Sequence, residues 1–128
     1  MDPMEKKILL IEDEEFISMF LEDTLVRWGY SILGKIRYGE EVMDKLGKLD
    51  PKPDLIITDI NLAGQMSGIE SSKLITEKYD IPLMFMSAYS DKIRKEEAGK
   101  IKNVGYITKP FDVLKLKHIL DTLFDKQE

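Results

Sequence analysis

The sequence contains no cysteine. Disulfides, thiolate metal sites and cysteine nucleophiles are therefore excluded. It has no excess of basic residues: 19 Lys and Arg stand against 24 Asp and Glu, a net charge of −5. That balance argues against nucleic acid as a partner, because nucleic-acid binding needs a basic patch. Long apolar runs are missing too. The first is only Ile8 to Ile11, too short for a signal peptide, and nothing approaches the roughly 20 residues of a membrane span. No membrane association is expected, and a cytoplasmic location is the default. There is no internal repeat and no low-complexity tract. The single histidine, His118, falls on the last predicted helix and receives no role.

What remains is ordinary globular composition, 43% hydrophobic and 34% charged in 128 residues. That length suits one domain, residues 1–128, with one hydrophobic core. The short tail after the last predicted helix is expected to carry no linker and no output domain.

Hydrophobic patterning divides the chain. Ile8-Leu9-Leu10-Ile11 has the continuous apolar character of a strand buried on both faces. Acids follow at once, Glu12-Asp13-Glu14-Glu15. A helix then places Ile17, Phe20, Leu21, Thr24, Leu25 and Trp28 on one face, with Glu14, Glu15, Ser18, Glu22 and Arg27 opposite. Gly29 stops it. Tyr30 to Ile36 reads as a second strand, and Gly39 to Lys48 as a short helix packing through Val42, Met43 and Leu46. Pro51 and Pro53 break the chain before a third strand, Leu55 to Thr58, which ends at Asp59.

Ser67-Gly68-Ile69-Glu70 is an S-x-x-E capping box, so a third helix starts there, with Ile69, Leu74 and Ile75 as its apolar residues. Leu83 to Met86 is a fourth strand, ending at Ser87. A helix over about Ser90 to Ala98 is polar apart from Ile93 and Ala98. Val104 to Ile107 is a fifth strand, ending at Thr108-Lys109-Pro110. The last helix packs through Val113, Leu116, Leu120 and Leu123.

Five strands alternating with five helices predict an α/β fold, doubly wound, with a parallel sheet covered on both faces. The flavodoxin-like order 2-1-3-4-5 follows, and its ligand site lies beyond the carboxyl ends of the strands. That rule selects Glu12 and Asp13 after strand 1, Asp59 after strand 3, Ser87 after strand 4 and Lys109 after strand 5.

Three converging carboxylates, Glu12, Asp13 and Asp59, repel one another. At ~6 Å and an effective dielectric near 20, each pair costs about 3 kcal/mol. Such a cluster holds protons or a cation, and with oxygen ligands alone Mg²⁺ or Mn²⁺ is expected. A backbone carbonyl from the loop after Asp59 supplies a further ligand. Lys109 adds a positive charge and Ser87 a hydroxyl. Together these groups suit a phosphoryl ligand. Asp59, central among them, is the candidate nucleophile for an aspartyl phosphate.

At these residues the sequence resembles the receiver domains of two-component response regulators, in the single-domain, chemotaxis-regulator style. The matching pieces are Ile8-Leu9-Leu10-Ile11-Glu12-Asp13-Glu14, Ile56-Ile57-Thr58-Asp59-Ile60, Met66-Ser67-Gly68, Phe85-Met86-Ser87-Ala88 and Tyr106-Ile107-Thr108-Lys109-Pro110. No piece is specific alone, but their order at successive strand ends is. The resemblance implies that Asp59 accepts phosphate from the phosphohistidine of a sensor histidine kinase. It implies Mg²⁺ ligands in Glu12, Asp13, Asp59 and the Asn61 carbonyl, phosphoryl contacts from Ser87 and Lys109, and a switch aromatic in Tyr106. It further implies a cis Lys109-Pro110 bond, and signalling to a downstream protein through the surface of helix 4, strand 5 and helix 5. A homodimer formed on phosphorylation is compatible with it.

Two departures stand out. The first acid is Glu12 where Asp is commoner. The loop from Asp59 to Gly68 is one residue longer than in chemotaxis-type receivers, with Ala63-Gly64-Gln65 where many members carry a proline. Tyr89 is placed to shield the phosphoryl group from water. Two other functions fit parts of the pattern: a Mg²⁺-dependent phosphohydrolase with an aspartyl intermediate, and a receiver-like docking module that is never phosphorylated. The hydrolase needs a second acid where Asn61 stands and a capping insertion that the loops lack.

Overall fold

The computed structural model describes residues 5–62, 64–88, 92–109 and 112–124. The expected cis bond at Lys109-Pro110 and the shielding role of Tyr89 fall outside them. The elements, in chain order, are β1 (Lys7–Ile11), α1 (Glu15–Arg27), β2 (Ser31–Ile36), a 3-10 turn (Gly39–Glu41), α2 (Val42–Lys48) and β3 (Leu55–Asp59). They continue with α3 (Gly68–Lys78), β4 (Leu83–Ala88), α4 (Lys92–Gly99), β5 (Tyr106–Lys109) and α5 (Val113–Phe124). The sheet is parallel throughout and has the predicted order β2-β1-β3-β4-β5.

Strand alternation sorts the core into two layers. Ile8, Leu10, Leu55, Ile57, Met84, Met86 and Ile107 face α1 and α5, packing on Leu21, Leu25, Leu116 and Leu120. Leu9, Ile11, Ile56, Leu83 and Phe85 face the other way, onto Val42, Leu46, Ile69, Ile75 and Ala98 of α2, α3 and α4. The central strands are buried on both faces, which is why they read as unbroken apolar runs.

The registers align the strand ends. Ile11 pairs with Thr58, so Glu12 emerges beside Asp59. Asp59 pairs with Met86, and Ser87 with Thr108, so Ser87 and Lys109 follow on the next two strands. The capping box at Ser67 and Glu70 is present, with both reciprocal bonds made.

Several helix faces differ from the pattern-based expectation. On α1 the buried residues are Ser18, Leu21, Thr24 and Leu25. Ser18 is 4% exposed and Phe20 is 43% exposed, the reverse of their predicted faces. Ser18, Leu21 and Leu25 are spaced i, i+3, i+7, and a small Ser18 lets the helix backbone lie close to the sheet while the bulky ring turns outward. Leu74 of α3 is exposed, whereas Ser71 and Ser72 are fully buried. On α5, Ile119 joins Leu116 and Leu120 in the core, and Val113 and Leu123 are half-buried. Trp28 is half-buried against the α1–α5 layer.

Candidate functional site

β1 and β3 lie side by side and deliver Glu12, Asp13 and Asp59 to one point. A carboxylate oxygen from each falls within 4.8 Å of the others. Glu12 and Asp59 are buried, Asp13 half-buried. At that separation each like-charge pair costs about 3 kcal/mol for an effective dielectric near 20. Burial and mutual repulsion both favour the neutral forms of Glu12 and Asp59. Burial, with the Asp59 charge adding to it, pushes Glu12 up to about 7, against hydrogen bonding from the Glu14 amide and the attraction of Lys109. Burial likewise raises Asp59 above the ordinary carboxylate range, and the Asp13 charge adds to the rise.

Lys109, at the end of β5, answers this charge. Its Nζ lies 2.7 Å from Asp59 Oδ2, 2.9 Å from Glu12 Oε1 and 3.1 Å from Glu14 Oε1. Burial disfavours the ammonium, but bonding to Asp59 and Glu12 outweighs it and raises the Lys109 pKa. The contacts with Asp59 and Glu14 are hydrogen bonds. The approach to Glu12 is an ion pair and not a hydrogen bond, so Glu12 Oε1 is a buried oxygen without a hydrogen-bond partner among the described residues.

Asn61 follows two residues after Asp59, and its backbone N–H donates to Asp59 Oδ1 at 3.0 Å. That bond curls the loop back over the acid and orients the carboxylate. Gly68 is needed where the loop returns. Its N–H donates to the Ile60 carbonyl, and a Cβ at this position would collide with the Asp59 carbonyl.

Ser87 is buried, and among the described residues its hydroxyl also has no hydrogen-bond partner. With Ile60, Phe85, Lys95, Ala98 and Tyr106 it borders a gap too narrow to hold a water molecule. Tyr106 is half-buried at the start of β5, between Lys95 Nζ at 4.7 Å and Lys115 Nζ at 5.6 Å from its ring centroid. A cavity of about 520 Å³ lies at the opposite, amino-terminal end of the sheet around Thr76, Pro82 and Asn103, away from all of this chemistry.

The structure thus brings Glu12, Asp13, Asp59 and Lys109 together, holds Asn61 against Asp59, and places Ser87 and Tyr106 on the adjoining strands. It adds Glu14, which the helical pattern assigned to an outward face. The missing signal is a loop contact. The Glu14 N–H donates to Glu12 Oε2 at 2.9 Å, and that turn brings the Glu14 side chain to Lys109.

Comparison with known proteins agrees with this geometry. Residues 8–121 match the response regulator receiver domain family. The chain belongs to that family. Among curated relatives, the CheY chemotaxis protein of Thermotoga maritima is 31% identical over 109 residues, 84% of this chain and 88% of that one. A protein-glutamate methylesterase/protein-glutamine glutaminase of Archaeoglobus fulgidus is 34% identical over 106 residues, 81% of this chain but 30% of the relative. The PhyR receiver domain of Erythrobacter litoralis superposes with a TM-score of 0.78 at 30% identity, over 97% of this chain and 93% of that one. The chain spans about half the length of several other curated relatives. The receiver family is regulatory, and the methylesterase match covers too little of that enzyme to bring its activity here.

For a receiver domain, the relevant ion is Mg²⁺, and the residues present fit it. Glu12, Asp13 and Asp59 offer only hard oxygen donors, as Mg²⁺ prefers. Glu12 Oε1 in particular is desolvated and, its ion pair with Lys109 apart, lacks a hydrogen-bond partner among the described residues. No helix among the described residues is long and apolar enough to cross a membrane.

Proposed function

We propose that this receiver domain accepts a phosphoryl group on Asp59 from the phosphohistidine of a sensor histidine kinase. The observation that carries this is the Lys109 ammonium, 2.7 Å from Asp59 Oδ2, beside the Glu12–Asp13–Asp59 oxygen cluster. A carboxylate oxygen of Asp59 forms the new bond to phosphorus as the P–N bond to histidine breaks. Glu12, Asp13, Asp59 and the Asn61 carbonyl would hold Mg²⁺, which would supply charge neutralisation for the phosphoryl oxygens. Lys109 donates to one phosphoryl oxygen, and the Ser87 hydroxyl, without a hydrogen-bond partner among the described residues, donates to another. The Asn61 N–H holds the Asp59 carboxylate in place throughout.

The product adds about −1.5 to −2 charge at the strand ends. Ser87 moves to meet it, and Tyr106 turns toward the space that this movement opens in the gap both residues border. The surface of α4, β5 and α5 then changes its affinity for a downstream protein, as a population shift driven by the phosphoryl contacts. A homodimer is one form such a partner can take. Neither nucleic acid nor membrane is needed, and the setting is the cytoplasm.

The kinase would land on the rim of the site. Phe16 in the first turn of α1 is 84% exposed and Leu114 in the first turn of α5 is 82% exposed. Both lie on the same sheet face, at the end where Asp59 sits. Exposed large apolar groups clustered around a polar site mark protein docking.

A hydrolase reading asks for an acid where Asn61 stands and draws no support from a specific contact. The test is phosphotransfer from the histidine kinases of the source organism to the wild type and to Asp59→Asn. Transfer to the wild type alone supports the proposal, and equal transfer to both refutes it.

A further inference from the structure

Glu40, in the 3-10 turn after β2, has received no role so far. Its Oε1 accepts the backbone N–H of Gln65 at 3.2 Å and of Met66 at 3.3 Å, across 25 and 26 residues of sequence. Those amides belong to the loop between β3 and α3, the one that begins at Asn61. The loop turns at Gly64 through a positive φ of 98°. A Cβ there would come within 2.8 Å and 2.9 Å of the two Glu40 oxygens, so the carboxylate lies against the turn itself. Gly39 is pressed just as closely on the Met66 carbonyl.

The ends of this loop are fastened locally. Asn61 N–H is bonded to Asp59, and Ser67 caps α3. Its middle is fastened by Glu40. Hydrogen bonds from amides to an ionised carboxylate are roughly twice as strong as neutral ones, and two on one oxygen fix both a position and a direction. Glu40 is exposed, yet its carboxylate does not stand free in water: it caps two amides of a distant loop.

We propose that Glu40 is a positioning residue of the phosphorylation site. Its carboxylate sets the course of the loop after β3, and through it the Asn61 carbonyl that joins the Mg²⁺ ligands. This rests on the Mg²⁺ site proposed above. The role is specific to a loop that holds Ala63-Gly64-Gln65 and not a proline, because a chain without that stiffener needs an outside anchor.

Two variants test it, Glu40→Ala and Glu40→Gln, with amide hydrogen exchange at Gln65 and Met66 and with Mg²⁺ titration by calorimetry. Glutamine keeps a carbonyl oxygen to accept both bonds but removes the charge. Glu40→Ala raises exchange at both amides and weakens Mg²⁺ binding by about tenfold, the usual scale for losing an outer support of a metal site. Glu40→Gln, whose neutral oxygen keeps both bonds but makes them weaker, falls between Glu40→Ala and the wild type in both measurements. Unchanged exchange in Glu40→Ala overturns the proposal. So does a Mg²⁺ affinity that falls equally in both variants, since charge alone would then explain it. A wild type that binds no Mg²⁺ overturns the metal site itself, an outcome distinct from either of these.

Discussion

Lys109 Nζ and Asp59 Oδ2 sit 2.7 Å apart, although 50 residues separate them in the sequence. The same ammonium lies 2.9 Å from Glu12 Oε1, which makes it the local counter-charge of a buried acid cluster. Removing one partner of a buried ion pair leaves the other charge unanswered and costs on the order of 3 kcal/mol. Lys109→Ala is therefore expected to lower the urea midpoint strongly at pH 8 without metal. Saturating Mg²⁺, by binding the same acids, restores part of the loss. An unchanged midpoint would show that the cluster is solvated and not dependent on Lys109.

Glu12 gives the metal-free protein a defined pH dependence. Its folded pKa is about 7 against an ordinary 4.5. A raised carboxyl pKa means the folded state holds the proton more tightly than the unfolded chain. The stabilising contribution is complete below pH 4.5 and is lost as pH rises through about 7, a change of about 3 kcal/mol. Asp59 is shifted in the same direction and adds to the trend. Glu12→Gln, which mimics the neutral acid, flattens the stability profile between pH 4.5 and 7. Mg²⁺ needs the ionised form, so its stabilising effect in the wild type grows across the same range. Denaturant unfolding at several pH values, with and without Mg²⁺, reads both.

Phe16 and Leu114 separate docking from chemistry. Their side chains are exposed and take no part in the acid cluster. Phe16→Ala and Leu114→Ala each slow phosphotransfer from a cognate kinase by about tenfold or more, the loss expected for a large apolar contact residue. Both leave phosphorylation by acetyl phosphate unchanged, since that donor needs no protein surface. Parallel losses with both donors would place these residues in the chemistry or the fold instead.

Tyr106 is bracketed by Lys95 and Lys115 above a gap that reaches Ser87. A cation over an aromatic face at an exposed site is worth about 0.5–1 kcal/mol. Lys95→Ala removes the nearer one and widens the gap that Lys95 also borders, so the ring shifts toward Ser87 in the unphosphorylated protein. Ring resonances of Tyr106 in Lys95→Ala then move part of the way toward their positions in the beryllofluoride-treated wild type.

Much of this was legible in the sequence because the central strands are simple objects. Leu55 to Thr58 is apolar throughout because both faces are covered, and the one acid that ends it marks the carboxyl edge of the sheet. With the strand order known, Glu12, Asp59, Ser87 and Lys109 fall on adjacent strand ends without further information. Helix faces were less legible. Ser18 is buried and Phe20 exposed on α1, because periodicity gives a stripe but not the roll of the helix on its sheet. Glu14 and Glu40 were not legible as site residues at all. One acts through a turn made by its neighbour's carboxylate, the other through two amides in a distant loop, and neither contact leaves a spacing in the sequence.

The most direct test of the account is intact-mass measurement after incubation with acetyl phosphate and Mg²⁺. The wild type is expected to gain the mass of one phosphoryl group, and neither Asp59→Asn nor the wild type with chelator is expected to gain any. An equal gain in Asp59→Asn, or no gain in the Mg²⁺-loaded wild type, would contradict the assignment of Asp59 as the acceptor.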